Sequence, residues 1–383
     1  MNRLTIFTGC IIAAAMAMFA VGIMAWAAEP EIQRQPYLFV HEAWDHPDLN
    51  RLREQYDFDE YCLKENNEFN RMVMLKSWVY HHLRYSFNSP YPQLRNSLEI
   101  LRKSSEGTAF LCSSYAALYM QCALSMGWTS RYIFLRKPSG EMHAAVDVWS
   151  NVYKKWVYID PTWNIHLEGT KEQVPLSVLE MRDDWIRDRG KSMIYVYGAG
   201  RTQKRYDFHK LPITRNDSVL WRRMPVTKEW ISYTYEIAYV GRNNFFTHGD
   251  GSGMDIWDSM YIIKDNINGK DRNWPFADKT PLSADRLLHD LNICRGKIAE
   301  YNPKNETYHI RFVSSEYNFY TPSFSQFQVE TENNKWTILP GFIEIGKKKL
   351  REGFRIRTLN KRNVPGPACL IRMTDEGILD TVD

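Results

Sequence analysis

The sequence predicts an α+β fold: a buried, cysteine-bearing helix against an antiparallel sheet, followed by a C-terminal β-sandwich. Three observations predict it. Residues 112–126, CSSYAALYMQCALSM, are apolar on every side and carry no charge, the pattern of a helix buried all round. Residues 130–160 read as successive strands with alternating faces. From about Tyr301 the chain breaks into short alternating strands separated by turn residues.

The N-terminus has Arg3, then an uncharged apolar run from Ile11 to Ala28 that ends in Ala25-Trp26-Ala27. A short basic stretch, an apolar run and an A-x-A end make a secretory signal over residues 1–28, cleaved near Ala28 or Glu29. Residues 4–28 are also long enough to span a bilayer, so a retained anchor is the alternative. Residues 29–65 read as a polar, irregular lead-in. A helix follows over 68–85, with Met72, Leu75, Val79 and Leu83 on one stripe. Asn88-Ser89-Pro90-Tyr91-Pro92 breaks it, and Asn96, three residues before Glu99, caps a short helix. Gly127 stops the buried helix, and strands follow at 130–135, 143–150 and 156–160.

Residues 166–300 resist assembly into a unit. Ser177-x-x-Glu180 is a capping box opening a helix that Gly190 closes. Residues 193–197 and 230–240 read as strands, and Asp250-Gly251-Ser252-Gly253 as a turn. The C-terminal strands fall at 308–313, 324–329, 335–339, 354–358 and 369–373, with Asn333-Asn334 and Pro365-Gly366-Pro367 between them. The texture of 336–373 resembles an immunoglobulin or fibronectin-type module. The expected divisions are therefore 1–28, 29–165, 166–300 and 301–383.

A chain of 383 residues, 44% apolar and 25% charged, has material for two or three globular domains. A net charge of +4 implies no polyanionic partner, and no basic run interleaved with aromatics points to nucleic acid. The 13 Trp, 22 Tyr and 18 Phe suit a sugar- or peptide-binding surface as well as a core. Loss of Cys10 with the signal leaves five cysteines, Cys62, Cys112, Cys122, Cys294 and Cys369. An odd number keeps at least one thiol free or paired between chains, and up to two disulfides are open. Nothing in the sequence gives an oligomeric state.

Cys112 follows a Gly-containing loop at the first turn of the buried helix. The unpaired N–H groups and dipole of a helix start favour the nucleophilic thiolate. Cys122, further along the same helix, reads as a core cysteine. In the hairpin, Val146 and Val148 share one face of the first strand, and Val157 and Ile159 one face of the second. Pairing these aliphatic faces puts His143 and Asp160 on the same side, opposite or one diagonal apart, where a His–carboxylate hydrogen bond forms easily.

The residues around these three resemble the transglutaminase-like superfamily: Ile100-Leu101, Gly107, Cys112, Gly127-Trp128-Thr129-Ser130-Arg131-Tyr132, His143-Ala144-Ala145-Val146-Asp147-Val148 and Trp156-Val157-Tyr158-Ile159-Asp160-Pro161-Thr162-Trp163. The likeness covers residues 68–164. It implies a papain-like catalytic domain with Cys112 as nucleophile, His143 as general base and acid, and Asp160 as its orienter. It implies amide chemistry on a peptide or protein through an acyl-enzyme, of a hydrolytic, peptidase- or amidase-like kind. Export implies a secreted, periplasmic or cell-envelope location, with an extracellular or envelope peptide or protein as substrate. Protein cross-linking is the alternative, with Trp128, Trp149, Trp156 and Trp163 as apolar walls. A cell-surface binding protein with a dormant triad is another. Polysaccharide contact by the C-terminal module is a third. Cys112 N–H is one oxyanion donor by helix position, and a side chain near Tyr85 is the candidate for the second.

The reading calls for no cofactor and no metal. His81-His82 diverge on a helix, Asp250, Asp255 and Asp258 lack calcium-loop spacing, and Gly198-Ala199-Gly200 lacks the rest of a dinucleotide fingerprint.

Overall fold

The structure is a computed structural model that describes residues 39–86, 95–137, 140–207, 234, 236–247, 260–264, 280–281, 290–316, 319–331 and 335–382. The expected signal sequence, the Asn88–Pro92 break, the Asp250 turn, the Asn333-Asn334 turn and most of 230–235 lie outside these residues.

The lead-in is helical rather than irregular. Helix α1 (Pro47–Gln55) starts with Pro47 at its first turn, and the His46 ring accepts the Asp48 N–H. Helix α2 (Phe58–Leu63) follows at once. Leu49, Leu52, Phe58 and Cys62 are buried and Tyr61 packs on the core, a pattern too sparse to stand out in a polar stretch. Helix α3 (Glu68–His82) is capped by Asn67, whose side chain accepts from the N–H groups of Phe69 and Asn70. It stops before the expected Tyr85 because Arg84–Tyr85 extends and pairs in parallel with Ala109–Phe110. Helix α4 (Ser97–Ser105) begins at Asn96, which accepts the Glu99 N–H.

Helix α5 (Cys112–Ser125) is buried at every residue from Ser113 to Ala123. Two of its polar side chains tie it to neighbouring elements. Gln121 accepts the Ser97 N–H at 2.8 Å, and the Tyr119 hydroxyl donates to the Met72 carbonyl at 3.2 Å.

A nine-stranded sheet carries the domain. Its strands are β1 (Ser130–Arg136), β2 (Met142–Ser150), β3 (Lys155–Asp160), β4 (Ile165–Gly169), β5 (Met193–Tyr197), β6 (Lys204–Asp207), β7 (Glu236–Val240), β8 (Met260–Lys264) and β9 (Thr280–Pro281), in the order β9-β8-β7-β1-β2-β3-β4-β5-β6. Val146, Val148, Val157 and Ile159 join the same apolar core as α5. Helix α6 (Val178–Asp188) opens on the expected Ser177–Glu180 capping box.

Residues 165–207, 236–240, 260–264 and 280–281 thus supply strands to the same sheet as β1–β3. Strand β4 begins at Ile165, on the expected domain boundary, and Ile159 pairs with His166 across it.

The C-terminal module is a β-sandwich. One sheet has the order β10 (Arg295–Asn302), β11 (Thr307–Val313), β14 (Phe342–Gly346). The other runs β13 (Lys335–Leu339), β12 (Phe324–Thr331), β15 (Phe354–Asn360), β16 (Cys369–Met373), β17 (Leu379–Val382). A short helix α7 (Lys347–Glu352) leads into β15. Ile310, Phe312, Ile345, Phe327, Ile356 and Ile371 from the two sheets share one core. Because β10 pairs with β11 from Arg295 onward, this module starts before residue 301.

The sandwich is tied to the β2–β3 turn. Asn151 Nδ2 donates to the Pro365 carbonyl at 3.1 Å, and Asn292 Nδ2 donates to Asn151 Oδ1 at 2.9 Å. Asn360 Nδ2 reaches the Gly127 carbonyl at 3.0 Å. Gly127 has φ +82°, and a Cβ there would stand 2.5 Å from Cβ of Arg362. Glycine therefore both stops α5 and lets the sandwich approach.

Candidate active site

Cys112 is the first residue of α5, after Leu111 in extended conformation. Parallel pairing of Arg84–Tyr85 with Ala109–Phe110 fixes the chain that leads into it, and the Ser86 N–H donates to the Phe110 carbonyl at 3.1 Å. Among the described cysteines, Cys62, Cys122, Cys294 and Cys369 are buried thiols, and Cys112 alone is partly exposed. Burial pushes the Cys62 thiol up to about 12 and the Cys122 thiol well above its ordinary value.

The β2–β3 register sets Val146 opposite Ile159 and Val148 opposite Val157. Asp160 therefore falls one diagonal from His143 on the same face, as expected from the sequence. His143 Nε2 lies 2.8 Å from Asp160 Oδ2, and both side chains are buried. Asp160 also accepts the Tyr158 hydroxyl at 3.1 Å and, through Oδ1, the Thr162 N–H at 3.0 Å. With Nε2 engaged by Asp160, Nδ1 is the ring nitrogen left for Cys112, to which His143 is hydrogen-bonded.

Burial alone would push His143 towards the neutral form. The charges of Asp160 and Cys112, with the hydrogen bonds to both, outweigh it and raise His143 from 6.5 to about 9. Protonated, His143 is an imidazolium beside the Asp160 carboxylate and Cys112, with a proton to give a leaving group.

The transglutaminase-like superfamily matches this chain over residues 58–161. Those residues form a transglutaminase-like domain. No curated protein matches the chain. Solved structures similar to it include a candidate cysteine protease from Cytophaga hutchinsonii, 17% identical, with a TM-score of 0.26, over 35% of this chain and 43% of that one. A TGase is 15% identical with a TM-score of 0.25, over 30% of this chain and 31% of that one. A candidate protease from Parabacteroides distasonis is 14% identical with a TM-score of 0.22, over 42% of this chain and 30% of that one. The chain spans less than half the length of each.

One of the four expected tryptophans reaches the site. The Trp163 ring lies roughly parallel to the His143 ring at 6.4 Å, with Tyr85 5.1 Å from Trp163. Trp149 and Trp156 instead pack edge to face on each other, with the Arg131 guanidinium 3.8 Å from the Trp156 ring. Trp128 lines a cleft of about 560 Å³ at the other end of α5, beside Glu68, Asn151 and the Arg362–Pro367 loop.

Sequence reasoning missed a buried polar chain behind Asp160. Lys76 of α3 and His166 of β4 are wholly buried, with Lys76 Nζ 3.4 Å from His166 Nδ1 and donating to the Gly198 carbonyl at 3.1 Å. The available signal was a lysine four residues after Met72 and three before Val79, inside the apolar stripe of α3.

Proposed function

We propose that this chain is an exported thiol enzyme that hydrolyses amide bonds in peptides or proteins of the cell envelope. The observation that carries the reading is His143, hydrogen-bonded between Asp160 and a partly exposed Cys112 at a helix start.

Cys112 sulfur attacks the amide carbonyl, and the oxyanion forms near the N–H groups that open α5. The C–N bond breaks as His143 gives its proton to the leaving amine, leaving a thioester on Cys112. Water then attacks the thioester carbonyl while His143 takes its proton. The C–S bond breaks, and the acid leaves with the Cys112–His143 pair restored. Asp160 holds the ring orientation and balances the imidazolium throughout.

Hydrolysis is favoured over cross-linking by the aromatic arrangement. Cross-linking needs apolar walls that exclude water from the thioester, and of the four candidate tryptophans only Trp163 packs near His143. A glutamine-bearing peptide incubated with and without a large excess of primary amine tests this by mass spectrometry. Free acid is the expected product. Predominant amine adduct at modest amine concentration would overturn hydrolysis and leave the triad standing.

The sandwich fits polysaccharide contact through Phe342, 52% exposed on the outer face of its three-stranded sheet. Retention of the full chain on envelope polysaccharide, lost on Phe342→Ala, is the corresponding test.

A further inference from the structure

The buried chain behind Asp160 carries more charge than a core tolerates without use. Lys76 reaches His166, His166 Nε2 stands 3.4 Å from Glu168 Oε1, and Glu168 is bound by Arg205 at 3.1 and 3.2 Å. The line ends at the surface, where Arg205 is about half exposed. Lys76 thus stands at the inner end, where its ammonium is attracted to Asp160 as well as to Glu168.

An apolar residue would pack this position on α3 at less cost, since isolating an ammonium from water is expensive unless it is paired. Two hydrogen bonds hold Lys76 in place, and one is donated to a backbone carbonyl that a neutral donor would satisfy equally. What a neutral donor could not supply is charge beside a wholly buried carboxylate that already serves His143.

Resting on the thiol-enzyme reading, we propose that Lys76 is a positioning residue: the counter-charge that keeps Asp160, and through it His143, in the reacting arrangement. A cation at this point opposes the uptake of a further proton by the Cys112–His143–Asp160 cluster.

The groups facing Lys76 define when the charge is present. Burial pushes its ammonium down from 10.5 to about 7, against the pull of Asp160 and Glu168. Burial, and then the charge of Lys76, hold His166 down at about 4, so His166 faces it as a neutral ring near pH 7. Arg205 lies beyond Glu168, and the Tyr158 hydroxyl is taken by Asp160. The counter-charge is therefore present below about pH 7 and lost above it.

The test uses the full chain and iodoacetamide, following the alkylation rate of Cys112 from about pH 5 to pH 9. In Lys76→Met the acid-side midpoint should rise by about half a pH unit or more. The curves should converge above neutral pH, where wild-type Lys76 is uncharged. Lys76→Arg should keep the wild-type midpoint. Lys76→Gln keeps a donor for Gly198 without the charge, and should behave as the methionine variant does. It is read in its place if that variant does not melt cooperatively. A purely structural Lys76 would change the melting temperature and leave the midpoint where it is, and superposed profiles would overturn the proposal. If wild-type Cys112 is not labelled selectively, the triad falls and Lys76's role with it. If wild type labels selectively and Lys76→Met or Lys76→Gln superposes on it, only the role of Lys76 falls.

Discussion

His143 Nε2 and Asp160 Oδ2 lie 2.8 Å apart across one diagonal of a strand pair whose aliphatic residues form the opposite face. The contact follows from register. A slip of one residue between β2 and β3 would place Asp160 on the other face and abolish it. Selection for a packed Val146–Ile159 face is thus also selection for an oriented histidine.

Asp160→Asn should cost far more than its size suggests. An amide can turn its N–H towards Nε2, where the imidazole needs an acceptor, and leave the ring in the wrong tautomer. A loss of about 10³–10⁴ in kcat is expected by comparison with other triads. Normal turnover in a folded variant would make Asp160 merely structural.

The pH profile should have an alkaline limb set by His143. The imidazolium is present below about 9 and absent above it, so activity requiring a proton for the leaving amine falls as pH rises through that value. The stability the Asp160–His143 pair contributes has the same sign. It is fully present below about pH 6.5, the ordinary histidine value, and is lost as pH rises through about 9. Rate and melting temperature across that window check both. An activity that keeps rising past pH 10 would contradict the assignment.

Gly127→Ala should destabilise the chain by about 1–3 kcal/mol, because a side chain must adopt a left-handed conformation there. Its Cβ would also press on Arg362 Cβ at 2.5 Å. Chemical denaturation measures it, and unchanged stability would mean that the sandwich does not seat against the end of α5.

The exported protein should begin near Ala28 or Glu29. Intact mass decides it. A species that retains Met1 and partitions with membrane would show an anchor instead.

The site was legible where the chemistry is local in sequence. A buried helix declares itself by lacking a polar face, and the hairpin register is forced by four aliphatic residues, Val146, Val148, Val157 and Ile159. The missing parts depend on distant partners. Strand β7 pairs antiparallel with β1, setting Glu236 against Arg136, a union no local pattern announces. Lys76 meets His166 ninety residues on, so a charged residue in the stripe of α3 had no visible reason until the sheet brought β4 behind it. Helices α1 and α2 were hidden because their buried residues, such as Leu49, Leu52, Phe58 and Cys62, are widely spaced in a polar stretch.

The central claim is that Cys112 is the reactive thiol, and its rate of alkylation tests that most directly. The folded chain is treated with limiting iodoacetamide near neutral pH, and each cysteine is quantified by peptide mass spectrometry. Cys112 should be labelled well ahead of Cys62, Cys122, Cys294 and Cys369, and His143→Ala should remove its advantage. Equal labelling of all five thiols, or none at Cys112, would contradict the triad.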